Sequence, residues 1–82
     1  MNDGYRGLSV STVKELLKSP NNILMASAKP YSGGGGYVLN IIDGELTFVV
    51  ASYRSNMKIY KRADALLNDA KDMGFESVTF EL

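Results

Sequence analysis

The chain has 82 residues, the length of one small domain, and 45% of them are hydrophobic, which argues against wholesale disorder. It contains no cysteine and no histidine, which excludes disulfides, thiolate sites and histidine-based metal or acid–base sites. Nine basic residues balance nine acidic ones, which argues against a dedicated nucleic-acid coat or a polybasic membrane anchor. The composition therefore predicts a single domain over residues 1–82 that is not an enzyme and uses no metal or other cofactor.

The first seven residues are polar and rich in glycine, which predicts a loose N-terminal arm over 1–7. They lack the basic-then-apolar layout of a secretory signal. No apolar run in the chain approaches the roughly 20 residues that a membrane span needs. A cytoplasmic protein without a membrane partner is the expectation.

A short helix is predicted before Pro20, because its apolar residues recur at helical spacing. This stripe consists of Val13, Leu16 and Leu17. Three residues are candidate caps for the start of the helix. They are Thr12, which would form a capping box with Glu15, and its rivals Ser9 and Ser11. The next segment, 23–29, fits a helix or a strand, and the turn signals on both sides of it favour a strand.

Four glycines at 33–36 predict a flexible loop after this segment. A phosphate-binding loop would need a helix directly after the glycines, whereas here a strand is predicted. The glycines are therefore interpreted as a connection, and ordering on a partner is the alternative.

The clearest element is a β-hairpin that turns at Asp43-Gly44, a two-residue connection typical of a type I′ turn. This turn would pair Ile42 with Glu45 and Ile41 with Leu46. Alternation then assigns one face of the hairpin to the core, with Tyr37, Leu39, Ile41, Leu46, Phe48 and Val50. The other face exposes three apolar residues that need a cover, Val38, Ile42 and Val49. Either a second subunit or partner covers this candidate interface, or segment 23–29 does.

The rest of the chain predicts a strand over Met57–Tyr60, a helix from about Ala63 to Met73 that ends at Gly74, and a closing strand over Ser77–Leu82. The element order is α-(β)-β-β-β-α-β, which indicates an α+β fold. Its twisted mixed sheet would have four or five strands, with both helices packed on one face. A right-handed crossover would place the closing strand parallel to Met57–Tyr60.

The charges are unevenly distributed. Residues 1–62 hold eight basic and four acidic residues, whereas residues 63–82 hold one basic and five acidic residues. The basic segment 54–62 resembles a nucleic-acid contact patch, in which basic groups neutralise phosphates and tyrosines stack on bases. Its candidate residues are Arg54, Lys58, Lys61, Arg62, Tyr53 and Tyr60. The alternative is a solvated strand edge whose charge the acidic second helix neutralises.

Residues 46–82 combine a strand, an aromatic and basic step, a leucine-rich helix ending in glycine, and the closing strand Val78-Thr79-Phe80-Glu81-Leu82. This pattern resembles small accessory proteins of mobile elements, of the plasmid partition or maintenance type. The chain is also similar to phage anti-CRISPR proteins in its size and its lack of catalytic residues. These resemblances imply an origin on a plasmid or phage, and they assign no role to any residue.

The sequence predicts a small, non-enzymatic regulatory protein that acts by binding another macromolecule, a protein partner or a second copy of itself in a homodimer. Two alternatives remain open. One is a nucleic-acid-binding accessory protein that uses segment 54–62, and the other is a protein inhibitor of a host defence system.

Overall fold

The computed structural model describes residues 7–52 and 55–82, and seven elements follow one another in them. In chain order these are β1 (Gly7–Ser9), α1 (Val10–Leu17), β2 (Met25–Pro30), β3 (Tyr37–Asp43), β4 (Leu46–Ala51), α2 (Ala63–Met73) and β5 (Thr79–Phe80). The predicted arm lies outside the described residues except for Gly7, which begins β1 and is not part of a loose arm.

The five strands form one mixed sheet in the order β1-β4-β3-β2-β5. The three central strands are antiparallel, whereas β1 is parallel to β4 and β5 is parallel to β2. The predicted α+β class, with two helices and a mixed sheet, is confirmed. Segment 23–29 contributes a strand, as the turn signals predicted.

The predicted position of the closing strand is wrong, because β5 pairs with β2 and not with Met57–Tyr60. The latter segment is not a strand but makes a single bridge, in which the backbone of Tyr60 exchanges hydrogen bonds of 2.7 and 2.8 Å with Tyr37. The Lys58 N–H donates to the carbonyl of Val50 at 2.8 Å. This segment therefore crosses the ends of β4 and β3, and the free edge of β2 takes β5.

The predicted hairpin exists, but its register is shifted by two residues. Asp43 pairs with Leu46 and Ile42 with Thr47, so the two loop residues are Gly44 and Glu45. Gly44 has a φ of +61° and no described non-glycine residue has a positive φ, which matches a type II′ turn with glycine first. A shift of two residues keeps every side chain on its side of the sheet, so the predicted faces are retained.

Both helices pack on one face of the sheet, here called the helix face. Its core combines sheet residues with the apolar stripes of the helices: Ala26, Ala28, Leu39, Ile41, Val50, Val13, Leu66, Ala70 and Met73. Leu46 was predicted to belong to it, but it lies next to the hairpin turn and is 59% exposed. Burial of this cluster is the main stabilising contribution that the chain can make.

The helix ends are set by local hydrogen bonds. Ser9 caps α1, because its Oγ accepts a hydrogen bond of 3.1 Å from the Thr12 N–H, so the rival capping box starting at Thr12 is wrong. Gly74 ends α2 as predicted, with a φ of +116°. The N–H groups of Gly74 and Phe75 return to the last turn in a Schellman pattern, which directs Phe75 onto the core.

Candidate interaction face

The second face of the sheet, here called the open face, carries neither α1 nor α2. Strand alternation and the observed register place on it Ser27 and Lys29 of β2, Val38, Asn40 and Ile42 of β3, and Thr47 and Val49 of β4. The side chains of Val38 and Val49 are diagonal neighbours and are both 4% exposed. These two valines form a buried apolar centre of the open face, and hydroxyl, amide and ammonium groups surround it.

A groove of about 540 Å³ runs over this apolar centre. Its lining consists of Lys29, Pro30, Tyr31, Ser32, Val38, Asn40, Thr47, Val49 and Met57. The strand residues form its base, and two connections, around Tyr31 and Met57, flank it. Its volume lies within the range of about 300–1,000 Å³ that is usual for ligand sites.

The loop between β2 and β3 that flanks the groove is closed by hydrogen bonds. The Tyr31 N–H donates to the carbonyl of Gly36 and the Gly34 N–H to the carbonyl of Tyr31, both at 2.9 Å. Gly34 and Gly35 have φ values of +82° and +86°, which glycine adopts without strain. A side chain at Gly36 would overlap the carbonyl oxygen of Tyr60. The glycines therefore form a tight hairpin loop that positions Tyr31.

The structure brings together two of the three candidate interface residues. Val38 and Val49 lie side by side at the base of the groove, while Ile42 pairs with Met25 on one side and Thr47 on the other. Segment 23–29, the alternative cover, lies in the sheet as β2 and does not cross this face.

The described residues of the basic segment lie in different environments. Tyr53 and Arg54 lie outside the described residues. Arg62 holds Asp64 through two hydrogen bonds of 3.0 Å, and Lys61 is exposed. Tyr60 is 3% exposed and belongs to the core, so its ring cannot stack on a base as predicted.

Asp69 of α2 joins two of these residues. Its Oδ2 accepts hydrogen bonds of 2.7 Å from both the Tyr60 hydroxyl and the Lys58 ammonium, and that ammonium lies 4.9 Å from the centre of the Tyr60 ring. Burial, the hydrogen bond to Asp69 and its negative charge raise the pKa of Tyr60. The phenol therefore stays protonated and acts as a hydrogen-bond donor, and the cluster connects segment 57–60 to α2.

Sequence reasoning missed much of the groove, namely Lys29, Pro30, Tyr31, Ser32, Asn40, Thr47 and Met57. The signal that could have found part of it is alternation in β2, which places Lys29 beside Val38 once the two strands are paired. Sequence reasoning also missed the contacts of Asp69, one of the acidic residues of the second helix. Its position three residues after Leu66 was the available sign that it faces inward.

Within residues 7–52 and 55–82 no group of three or more metal-ligating side chains could hold an ion. Neither of the two described helices has the length and apolar character to cross a bilayer. A scan of protein-family models, a search of curated proteins and a search of solved structures each found no match to this chain. The resemblance to accessory proteins of mobile elements therefore stays a prediction.

Proposed function

We propose that this chain is a non-catalytic interaction protein that binds a partner protein through its open face. The observation that carries the proposal is the groove over Val38 and Val49, in a sheet whose other face holds both helices. Polar groups around an apolar base are the usual composition of a recognition site. The groove thus combines contact area with groups that can select a partner.

The ion pairs of the chain show which of the acidic groups on α2 are already engaged. The acidic residues of α2 are engaged within the chain, where Asp64 pairs with Arg62, Asp69 with Lys58, and Asp72 lies 3.7 Å from Lys14. Lys29 in the groove makes no ion pair within the described residues. The charged group at the groove is therefore available to a partner.

Site-specific photo-crosslinking tests the proposal. A photoreactive amino acid is placed at Thr47, which is exposed and lines the groove, or at Asn68, which is exposed on α2. Irradiation in cells that produce the protein should yield a discrete protein adduct from position 47 and none from position 68. Thr47→Arg, which fills the groove, should abolish capture of that partner, whereas the matched variant Asn68→Arg should retain it.

Two outcomes oppose the proposal. One is equal crosslinking from positions 47 and 68, which would move the interface away from the open face. The other is salt-sensitive binding of a DNA or RNA oligonucleotide that Lys61→Glu abolishes and Thr47→Arg does not. That result would establish the nucleic-acid function of segment 54–62 instead.

A further inference from the structure

Two polar side chains that line the groove, Lys29 and Asn40, differ in chemistry and make no ion pair or hydrogen bond to the residues that the structure describes. Among the described residues that line it, Lys29 alone carries a charge. The side-chain amide of Asn40 is half-buried and makes no hydrogen bond to the described residues. An ammonium group pairs with an anion. A carboxamide both donates and accepts hydrogen bonds and can therefore pair with a peptide group.

The spacing of these groups matches that of an extended chain. Lys29 is the β2 neighbour of Val38, and Asn40 follows Val38 on the same face of β3. Residues two apart in a strand are about 6.6 Å apart, which is also the repeat of an extended peptide lying above them. Such a peptide can reach Lys29 with one side chain and Asn40 with its backbone, while a second side chain lies between Tyr31 and Met57.

We infer that the occupant of the groove is an extended segment of a partner protein that carries a carboxylate side chain close to an aliphatic one. The inference rests on the proposed function and specifies its partner. The carboxylate pairs with Lys29, a backbone amide of the segment bonds to the Asn40 carboxamide, and the aliphatic group packs between Tyr31 and Met57, above the buried Val38 and Val49.

Selection from a library of random linear peptides tests this assignment. Phage that display the peptides are selected on the wild-type protein and depleted on Thr47→Arg. The surviving peptides should share an Asp or Glu within two residues of an aliphatic residue. Lys29→Gln should weaken their binding about threefold, the size expected for one exposed ion pair, and Lys29→Glu should weaken it further.

A charge exchange completes the test. Replacing the shared acid of the peptide by lysine should restore binding to Lys29→Glu, and the control Lys61→Glu should bind the original peptide like the wild type. Urea unfolding of each variant confirms that it is folded.

The two levels of the proposal fail in different ways. If depletion on Thr47→Arg removes every peptide that the wild type selects, or if the wild type selects none, the open face is not the site and the proposed function is overturned. If peptides bind wild type and not Thr47→Arg, but lack a shared acid or ignore Lys29→Glu, only the assignment of the carboxylate is overturned.

Discussion

The Tyr60 hydroxyl donates a hydrogen bond of 2.7 Å to the carboxylate of Asp69, and this contact connects the chain after β4 to the second helix. The backbone of Tyr60 bonds to Tyr37 at the start of β3, so one buried residue joins the sheet, the helix and the connection between them. Because Met57 of that connection flanks the groove, the cluster on the helix face also supports the open face.

Removing this hydroxyl should destabilise the protein. We expect Tyr60→Phe to lower the free energy of unfolding by about 1.5 kcal/mol, the usual contribution of a hydrogen bond to a charged group. Urea unfolding followed by circular dichroism measures the change. The control is Tyr31→Phe, whose hydroxyl has no partner among the described residues and which should change the free energy of unfolding by less than about 0.5 kcal/mol. Equal effects of the two substitutions would contradict the role of the contact.

The same cluster predicts a dependence of stability on pH. Partial burial acts to raise the pKa of Asp69, but hydrogen bonds from Lys58 and Tyr60 and the charge of Lys58 outweigh it, so the pKa lies below its ordinary value of 3.8. A carboxyl group whose pKa falls on folding stabilises the native state above its unfolded-state pKa. That contribution is lost as the pH falls through the lowered folded-state pKa.

We therefore expect the urea midpoint of the wild type to fall below about pH 4, with part of this fall missing in Asp69→Asn. The matched control is Asp72→Asn, because Asp72 is 63% exposed and lies farther from its lysine. It should retain the acid dependence of the wild type. A full acid dependence in Asp69→Asn would show that other groups cause it.

The hairpin register can be tested by cross-linking, since the chain has no cysteine of its own. In the observed register Ile42 lies directly opposite Thr47, one residue from the pair that closes the turn. Ile42 and Thr47 form a non-hydrogen-bonded pair, the kind of pair in which side chains approach most closely. Ile42→Cys with Thr47→Cys should form a disulfide in mild oxidant. Ile42→Cys with Glu45→Cys, the pair of a turn at Asp43-Gly44, should form it far more slowly. Mass spectrometry after thiol alkylation distinguishes the two.

The start of the first helix gives a further prediction. Ser9→Ala removes the oxygen that accepts from Thr12 and should lower the free energy of unfolding by about 1 kcal/mol. Ser11→Ala, a change of the same size inside the first turn, should stay within about 0.5 kcal/mol. A larger loss at Ser11 than at Ser9 in urea unfolding would mean that the helix is capped differently.

Local sequence patterns predicted the helices and strands better than they predicted which strands pair with one another. The alternation around Leu39, Ile41 and Val50 assigned the core face correctly even though the register was two residues off, because such a shift leaves the faces unchanged. The partner of β5 was wrong because parallel pairing joins distant segments and leaves no mark in a local window. β1 was missed because three residues are too few to show a pattern.

At the candidate site, too, local patterns predicted some residues but not the partners that lie beside them. Val38 and Val49 were predicted to need a cover, because apolar residues on both faces of a hairpin are visible in the sequence. Lys29 and Asn40 are recognisable as neighbours of Val38 on one face only when β2 and β3 are paired. Tyr60 was interpreted as surface because no local signal shows that it faces Asp69 across a turn.

The sheet order has a consequence for how the chain folds. β2, β3 and β4 are consecutive and antiparallel, so two hairpins can form them from contacts that are close in sequence. Each outer strand, in contrast, pairs in parallel with a strand that is distant in sequence, β1 with β4 and β5 with β2. Because closing such long loops is slow and β1 and β5 have only three and two residues, we expect their amide hydrogens to exchange fastest among the strands. We therefore expect the three central strands that carry the groove to form first and to open last.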